Sequence, residues 1–250
     1  MTRPQYYRSD SLEGLEYQQK YNLADWTSSD APLVMFGMYR ESDIIHFESH
    51  RAHITVVWQG SDARNLPADW LTILKSKPDT RHIAISSFIF DTLTAYGLNP
   101  QLLFISATVP APELENTPNG DFVHFYSSFS GVDNARYLGE HLIPTIIQKT
   151  GIPIIHTGFG LYDKPELYGI YRSCFLHLRL TQYDGCPNTN LEMGLLGRKS
   201  VFNGCGIPHS IPWVDVEHVC DIILEEYDNR KKDNSHVSRD IKNFINQNML

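Results

Sequence analysis

The stretch Asp184-Gly185-Cys186-Pro187-Asn188-Thr189-Asn190-Leu191-Glu192 concentrates the residue types that could do chemistry. Two carboxylates stand eight positions apart. Between them, Gly185 permits close backbone approach, and Pro187 suits the first turn of a helix. Phe175 to Leu180 reads as a strand before the turn, and 189–196 reads as a helix after it, closed by Gly197. A strand-to-helix turn at the carboxyl edge of a parallel sheet is where ligands bind in open α/β folds. The helix start offers unpaired N–H groups and the positive end of a dipole, which suit a phosphate or diphosphate. Asp184, ahead of the turn, would face the hydroxyls of a sugar. Glu192, on the first turns of the helix, would accept hydrogen bonds from a ribose. A diphosphate held between two such carboxylates is the outline of a nucleoside-diphosphate sugar. The plainer roles are Asp184 as a helix cap and Glu192 as a solvated helix residue. Neither accounts for the rest of the turn.

A rival constellation is His46, Glu48 and His50, with His53 close by. In an extended strand, positions 46, 48 and 50 share one face. Two imidazoles and a carboxylate could then hold Zn²⁺ or Fe²⁺ for a metal-dependent hydrolase. Nothing else in the segment supports a metal, so the expected metal set is empty. The four cysteines, Cys174, Cys186, Cys205 and Cys220, form no C-x-x-C pair. Their spacing fits reduced thiols in a cytoplasmic compartment.

These residues need elements to position them. The 250 residues are 42% hydrophobic and 20% charged, an ordinary globular balance. No apolar run approaches the roughly 18 residues of a membrane span, and the first 20 residues contain no apolar signal core. The net charge of −8 argues against a broad nucleic-acid surface. Short apolar runs at 33–36, 43–47, 54–58, 82–85 and 102–105 read as strands. A helix at 87–93 is stopped by Gly97. Such alternation predicts a parallel α/β sheet. Residues 1–30 read as an N-terminal extension, with a helix opened by a capping box at Asp10–Glu13. The segment 108–120 carries three prolines and reads as a linker. A second series follows, with strands at 122–127, 152–156, 175–180 and 200–202. Helices are expected at 135–149 (restarting at Pro144), 167–171, 189–196 and 216–227, with a last one at 237–246. The domains are therefore expected at 31–110 and 119–228, with 235–250 crossing back to the N-terminal half.

The 184–192 stretch resembles the acid-x7-acid signature of glycosyltransferases with the GT-B fold, especially their large retaining class (family 4-like). Gly185, Pro187, Asn188, Thr189, Leu191, Glu192 and Gly197 stand in matching positions, and Asp184 replaces the usual glutamate. Upstream, 170–176 is similar to the family's helix-then-strand lead-in. Downstream, Gly204-Cys205-Gly206-Ile207-Pro208 falls where these enzymes have a glycine-rich turn. Val57 to Asp62 resembles the family's strand and G-S-D turn. The resemblance covers about residues 32–226 and is strongest over 166–210. It implies two Rossmann-like parallel-sheet halves facing a cleft, with the N-terminal half shortened. It also implies transfer of a sugar from a UDP- or GDP-linked donor to an acceptor that the residues do not identify. No cofactor or essential metal is implied, and the anomeric configuration would be retained. Asp184 and Asp62 would be the catalytic candidates. Gly185, Cys186, Pro187, Asn188, Thr189, Glu192, Arg136, Thr157 and Gly158 would bind the donor. One departure is clear. The family grips the diphosphate with an Arg and a Lys after the first C-terminal strand, whereas 128–136 holds Arg136 and no Lys. Arg179 or Arg172 could compensate. The departure also keeps open a non-catalytic nucleotide-sugar or glycan-binding relative, or a subunit activating a partner.

Overall fold

Strands Leu33–Phe36 (β3) and Ile54–Trp58 (β4) are buried at every position. A strand reaches that state inside a sheet covered on both faces, which for short apolar runs means a parallel sheet flanked by helices. The computed structural model has that architecture twice. It describes residues 4–8, 14–64, 66–108, 110–127, 136–158, 160–181, 184–204 and 206–248. The chain divides into two units, Met1–Ala107 with Asn248–Leu250 and Thr108–Gln247. Among the described residues, no helix is long and apolar enough to cross a membrane.

The first unit adds Gln5–Arg8 (β1), Ala24–Asp25 (β2), Arg81–Ala84 (β5) and Pro100–Leu102 (β6). The sheet order is β2-β1-β3-β4-β5-β6, with every pair parallel. Its helices are Gly14–Lys20 (α1), Glu41–Ser49 (α2), Ser61–Arg64 (α3), Ala68–Ser76 (α4) and Ser87–Ala95 (α5). Helix α5 starts where the Ser86 hydroxyl accepts the Ile89 N–H at 3.3 Å, and it stops before Gly97 at φ +75°. The core gathers Met35, Phe36, Phe47, Val56, Val57, Trp58, Ile83 and Leu93.

Three expectations change here. Residues 1–30 are not an extension, because β1 lies inside the sheet between β2 and β3. The expected capping box at 10–13 lies outside the described residues. The run 43–47 is helix α2 rather than a strand. The Asp43 carboxylate reaches back to accept the backbone N–H groups of Tyr39 at 2.7 Å and Arg40 at 2.8 Å, closing the first turn. Ile44 and Phe47, three apart, enter the core while Ile45 stays 55% exposed. Of the run expected at 102–105, only Leu102 lies in a strand, at the end of β6, and Leu103 donates one further bond to the Ala84 carbonyl at 3.0 Å.

The second unit carries Phe122–Ser127 (β7), Ile154–Gly158 (β8), Cys174–Arg179 (β9), Lys199–Phe202 (β10) and Ser210–Ile211 (β11). The order is β11-β10-β9-β7-β8, again all parallel. Its helices are Ile143–Thr150 (α6), Lys164–Arg172 (α7), Asn188–Leu195 (α8), Val216–Asn229 (α9) and Ser235–Gln247 (α10). Pro144 sits in the first turn of α6, where a missing N–H costs nothing. Asp163 and Glu166 form a reciprocal capping box on α7. Helix α8 is buried from Asn190 to Leu195. A Cβ on Gly194 would come within 2.6 Å of the Ile241 side chain, so glycine lets α10 pack closely on α8. The body of α10 therefore belongs to the second unit instead of crossing back. Only Asn248–Leu250 belong to the first unit, where Asn248 Oδ1 accepts the Phe104 N–H at 3.3 Å.

One buried cation ties this unit together. The Arg198 side chain donates to the carbonyls of Cys174 (2.9 Å), Thr117 (2.7 Å), Pro118 (2.9 Å) and Arg172 (3.0 Å), and to that of Leu196. It thereby satisfies carbonyls at the ends of α7 and α8, which have no partner within their helices. Burial lowers its pKa to about 10.

Candidate functional site

In the second sheet, β7 lies between β8 and β9, so the chain leaves it in opposite directions. The carboxyl ends of β7 and β9 therefore form a topological switch point, the place where open α/β sheets bind ligands. Tyr126 and Ser127 end β7, Arg179 ends β9, and the 184–187 turn leads into α8. Asp184 Oδ2 accepts hydrogen bonds from Arg179 Nε at 2.7 Å and Nη2 at 2.5 Å. Its Oδ1 accepts the Gly185 N–H at 2.8 Å. The Arg179 guanidinium lies 5.0 Å from the centroid of the Tyr126 ring, a cation–π distance. Both charged side chains are partly accessible, 13% for Arg179 and 22% for Asp184.

The remaining expected donor residues divide into two groups. Gly185 and Cys186 are buried in the turn, and Pro187 caps α8. Asn188 Oδ1 accepts the Thr108 hydroxyl at 3.1 Å. Thr189 bonds the hydroxyl of buried Tyr171, and Glu192 lies close enough to that phenol, with burial the larger cause, to help hold its pKa well above the usual value. Glu192 is 9% exposed, four residues into α8 from Asn188. The structure thus brings Asp184, Gly185, Asn188, Thr189 and Glu192 together at the start of α8.

The others lie elsewhere. Thr157 is fully buried, and its Oγ1 is 2.7 Å from His124 Nε2, so it faces the interior and not a ligand. Gly158 ends β8, on the far side of β7 from the Asp184 turn. Arg136 is exposed, and the preceding residues 128–135 lie outside the described ones. Arg172 sits at the amino end of β9, away from the site, and donates to the Glu113 carbonyl. Asp62 belongs to the first unit. Its carboxylate accepts the backbone N–H groups of Gln59 (3.1 and 3.2 Å) and Gly60 (2.7 Å). Burial raises its pKa to about 6 against those bonds. It closes the loop after β4, which is a structural task.

The metal constellation dissolves. His46 and Glu48 lie on helix α2, where a two-residue step turns about 200°. The His46 ring packs against Tyr7 and Trp26, and His50 Nε2 is 2.9 Å from the Ala31 carbonyl. Among the described residues, no group of three His, Cys, Asp or Glu could hold a metal ion.

Sequence reading missed a polar layer beneath the site. His124 and His177 face each other across β7 and β9, Nδ1 to Nδ1 at 2.8 Å, both fully buried. Burial lowers the His124 pKa to about 3 and pushes His177 well below its usual value. One neutral ring must donate and the other accept. The signal was present, since each histidine interrupts an apolar run, Val123-His124-Phe125 and Leu176-His177-Leu178. On the other face of the sheet, Ser127 bridges Glu140 and His156, with His156 Nε2 at 2.8 Å. This pins β7 to the turn Glu140–Leu142.

No protein-family model matches the sequence, and no curated protein matches it. Solved structures do match the fold. TarM of S. aureus superposes with a TM-score of 0.60 at 12% identity, over 95% of this chain and 55% of TarM. HepE of Anabaena, solved in complex with UDP, gives 0.60 at 10% identity, over 95% of this chain and 78% of HepE. Sucrose-phosphate synthase of Thermosynechococcus elongatus gives 0.55 at 10% identity, over 94% of this chain and 72% of the synthase. The chain thus spans little more than half the length of TarM. The fold is that of the GT-B glycosyltransferases, two parallel-sheet α/β units.

Proposed function

We propose that this protein transfers a sugar from a nucleoside-diphosphate sugar to an acceptor. The observation that carries the reading is the Asp184–Arg179 pair ahead of the α8 start, at the switch point of the second sheet. The first N–H groups of α8 lack intrahelical partners and favour negative charge. Together with a guanidinium they stabilise the charge that builds on a diphosphate leaving group. Asp184 would take the hydroxyls of the sugar and Glu192 those of the ribose. The reaction would proceed without an essential metal and with retention of configuration. The UDP held by HepE supports the donor class.

The test is incubation with UDP-, GDP-, dTDP- and CMP-sugars, following donor hydrolysis and thermal stability. One donor is expected to be hydrolysed and to raise the melting temperature, with chelator present throughout. Asp184→Asn is expected to lower turnover about 10²–10³-fold while the fold is kept. Intact donors together with no thermal shift from any nucleotide would sink the reading. The single arginine in 128–136 favours a second reading, a non-catalytic nucleotide-sugar-binding relative. Nucleotide binding with every donor intact would select it.

A further inference from the structure

Arg179 and Asp184 are paired in an unusual way. A guanidinium and a carboxylate at their best make two parallel bonds, two N–H groups to two oxygens. Here Arg179 Nε and Nη2 both converge on Oδ2, while Oδ1 is turned to the Gly185 N–H. Among the described residues, Nη1 has no acceptor, so one edge of the cation is unfilled. The guanidinium plane is steadied by the Tyr126 ring. A planar cation on an aromatic support, with one edge free beside a helix start, matches a pair of phosphate oxygens.

We propose that Arg179 is the diphosphate-binding cation and that Asp184 is its counter-ion while no donor is bound, so the two exchange partners on donor binding. This rests on the nucleotide-sugar reading of the site. A complete donor satisfies both groups, phosphate oxygens taking Arg179 and sugar hydroxyls donating to Asp184. A nucleoside diphosphate without its sugar satisfies only Arg179 and leaves Asp184 without its cation, a small cost for a pair that water still reaches. The pair therefore favours the sugar-bearing donor over the spent nucleotide. After transfer, Asp184 reclaims Arg179 and helps to expel the product.

The exchange makes opposite predictions for its two halves. Isothermal titration would use UDP and GDP, with uridine and guanosine as diphosphate-free probes. Arg179→Ala is expected to weaken the bound diphosphate about ten- to a hundredfold while leaving the nucleoside unchanged. Asp184→Asn removes the competitor and is expected to tighten the sugar-free diphosphate severalfold. If Arg179→Ala fails to fold, the Asp184→Asn titration decides by itself. Unchanged diphosphate affinity in Arg179→Ala, or unchanged or weaker affinity in Asp184→Asn, would overturn the exchange while leaving the donor reading in place. If the wild type binds neither diphosphate, the donor reading falls and the exchange falls with it.

Discussion

Each unit carries an acid beside a glycine in the turn after a central strand, Gly60-Ser61-Asp62 after β4 and Asp184-Gly185 after β9. The sequence presents them as equals, and the structure does not. Asp62 is 6% exposed and spends its oxygens on the N–H groups of its own loop. Asp184 is more open and faces a guanidinium whose Nη1 has no acceptor among the described residues. The sheets beneath differ in the same sense. The first is mostly apolar, and its buried polar side chains Gln5, Thr55 and His82 lie on separate strands, His82 bonded to the Trp58 indole at 3.2 Å. The second carries a polar layer, Thr157, His124 and His177, under the turn that carries the chemistry. An acid is free for a ligand where backbone does not already consume it.

The largest expected effect that sharpens this contrast is on pH dependence. His124 and His177 stay neutral in the native second unit and charge when it unfolds. Below pH 6.5 the unfolded state then binds more protons, so stability falls as pH falls, from about 6.5 toward the His124 value of about 3. Each such group contributes about 1.4 kcal/mol per pH unit. Lowered His156 acts in the same direction. In the first unit, His82 (lowered to about 4) and lowered His50 also lose stability in acid. Asp62 opposes them. Its pKa near 6 makes the native state bind the extra proton between about 4 and 6, so its contribution grows as pH falls. Amide hydrogen exchange at pH 7, 6 and 5 should therefore show the second unit losing protection faster than the first. Equal losses would remove the contrast.

Next in size is Arg198→Ala. It leaves the carbonyls of Pro118 and Arg172 without this donor and takes one of two donors from those of Thr117, Cys174 and Leu196, and should cost about 3–5 kcal/mol in urea unfolding. A cost below about 1 kcal/mol would show that water replaces the guanidinium readily.

Much of this was legible. Mainly apolar runs announced β3, β4 and, despite His177, β9, and Gly97 and Gly197 marked the stops of α5 and α8, because those signals are local. Helix α2 was not legible. Arg40 at its N-cap provides no usual side-chain signal, and the closing carboxylate comes from Asp43 inside the helix. Strand β1 was hidden because Gln5, Tyr6 and Tyr7 look polar, although Gln5 is buried and its amide is bonded to Ser28 and Thr27. The acid-x7-acid spacing pointed to Asp184 and Glu192. It could not tell that Arg179, five residues upstream, bonds to Asp184, since residue types and spacing do not fix which side chains meet.

The smallest effect tests the comparison most directly. Asn in place of Asp62 points an NH₂ where an oxygen accepted the N–H of Gly60 or Gln59, leaving a buried donor facing a donor. The expected cost is about 1–3 kcal/mol of first-unit stability. Asn in place of Asp184 breaks a partly exposed pair, and such pairs contribute about 0–1 kcal/mol. Its expected stability change is within about 0.5 kcal/mol, while turnover collapses. Urea unfolding of both variants, read beside donor hydrolysis, separates the roles: Asp62→Asn loses stability and keeps turnover in the folded fraction, and Asp184→Asn does the reverse. Lost turnover in folded Asp62→Asn would mean that its carboxylate, although consumed by backbone at rest, is released during the reaction, and the two acid turns would be alike after all.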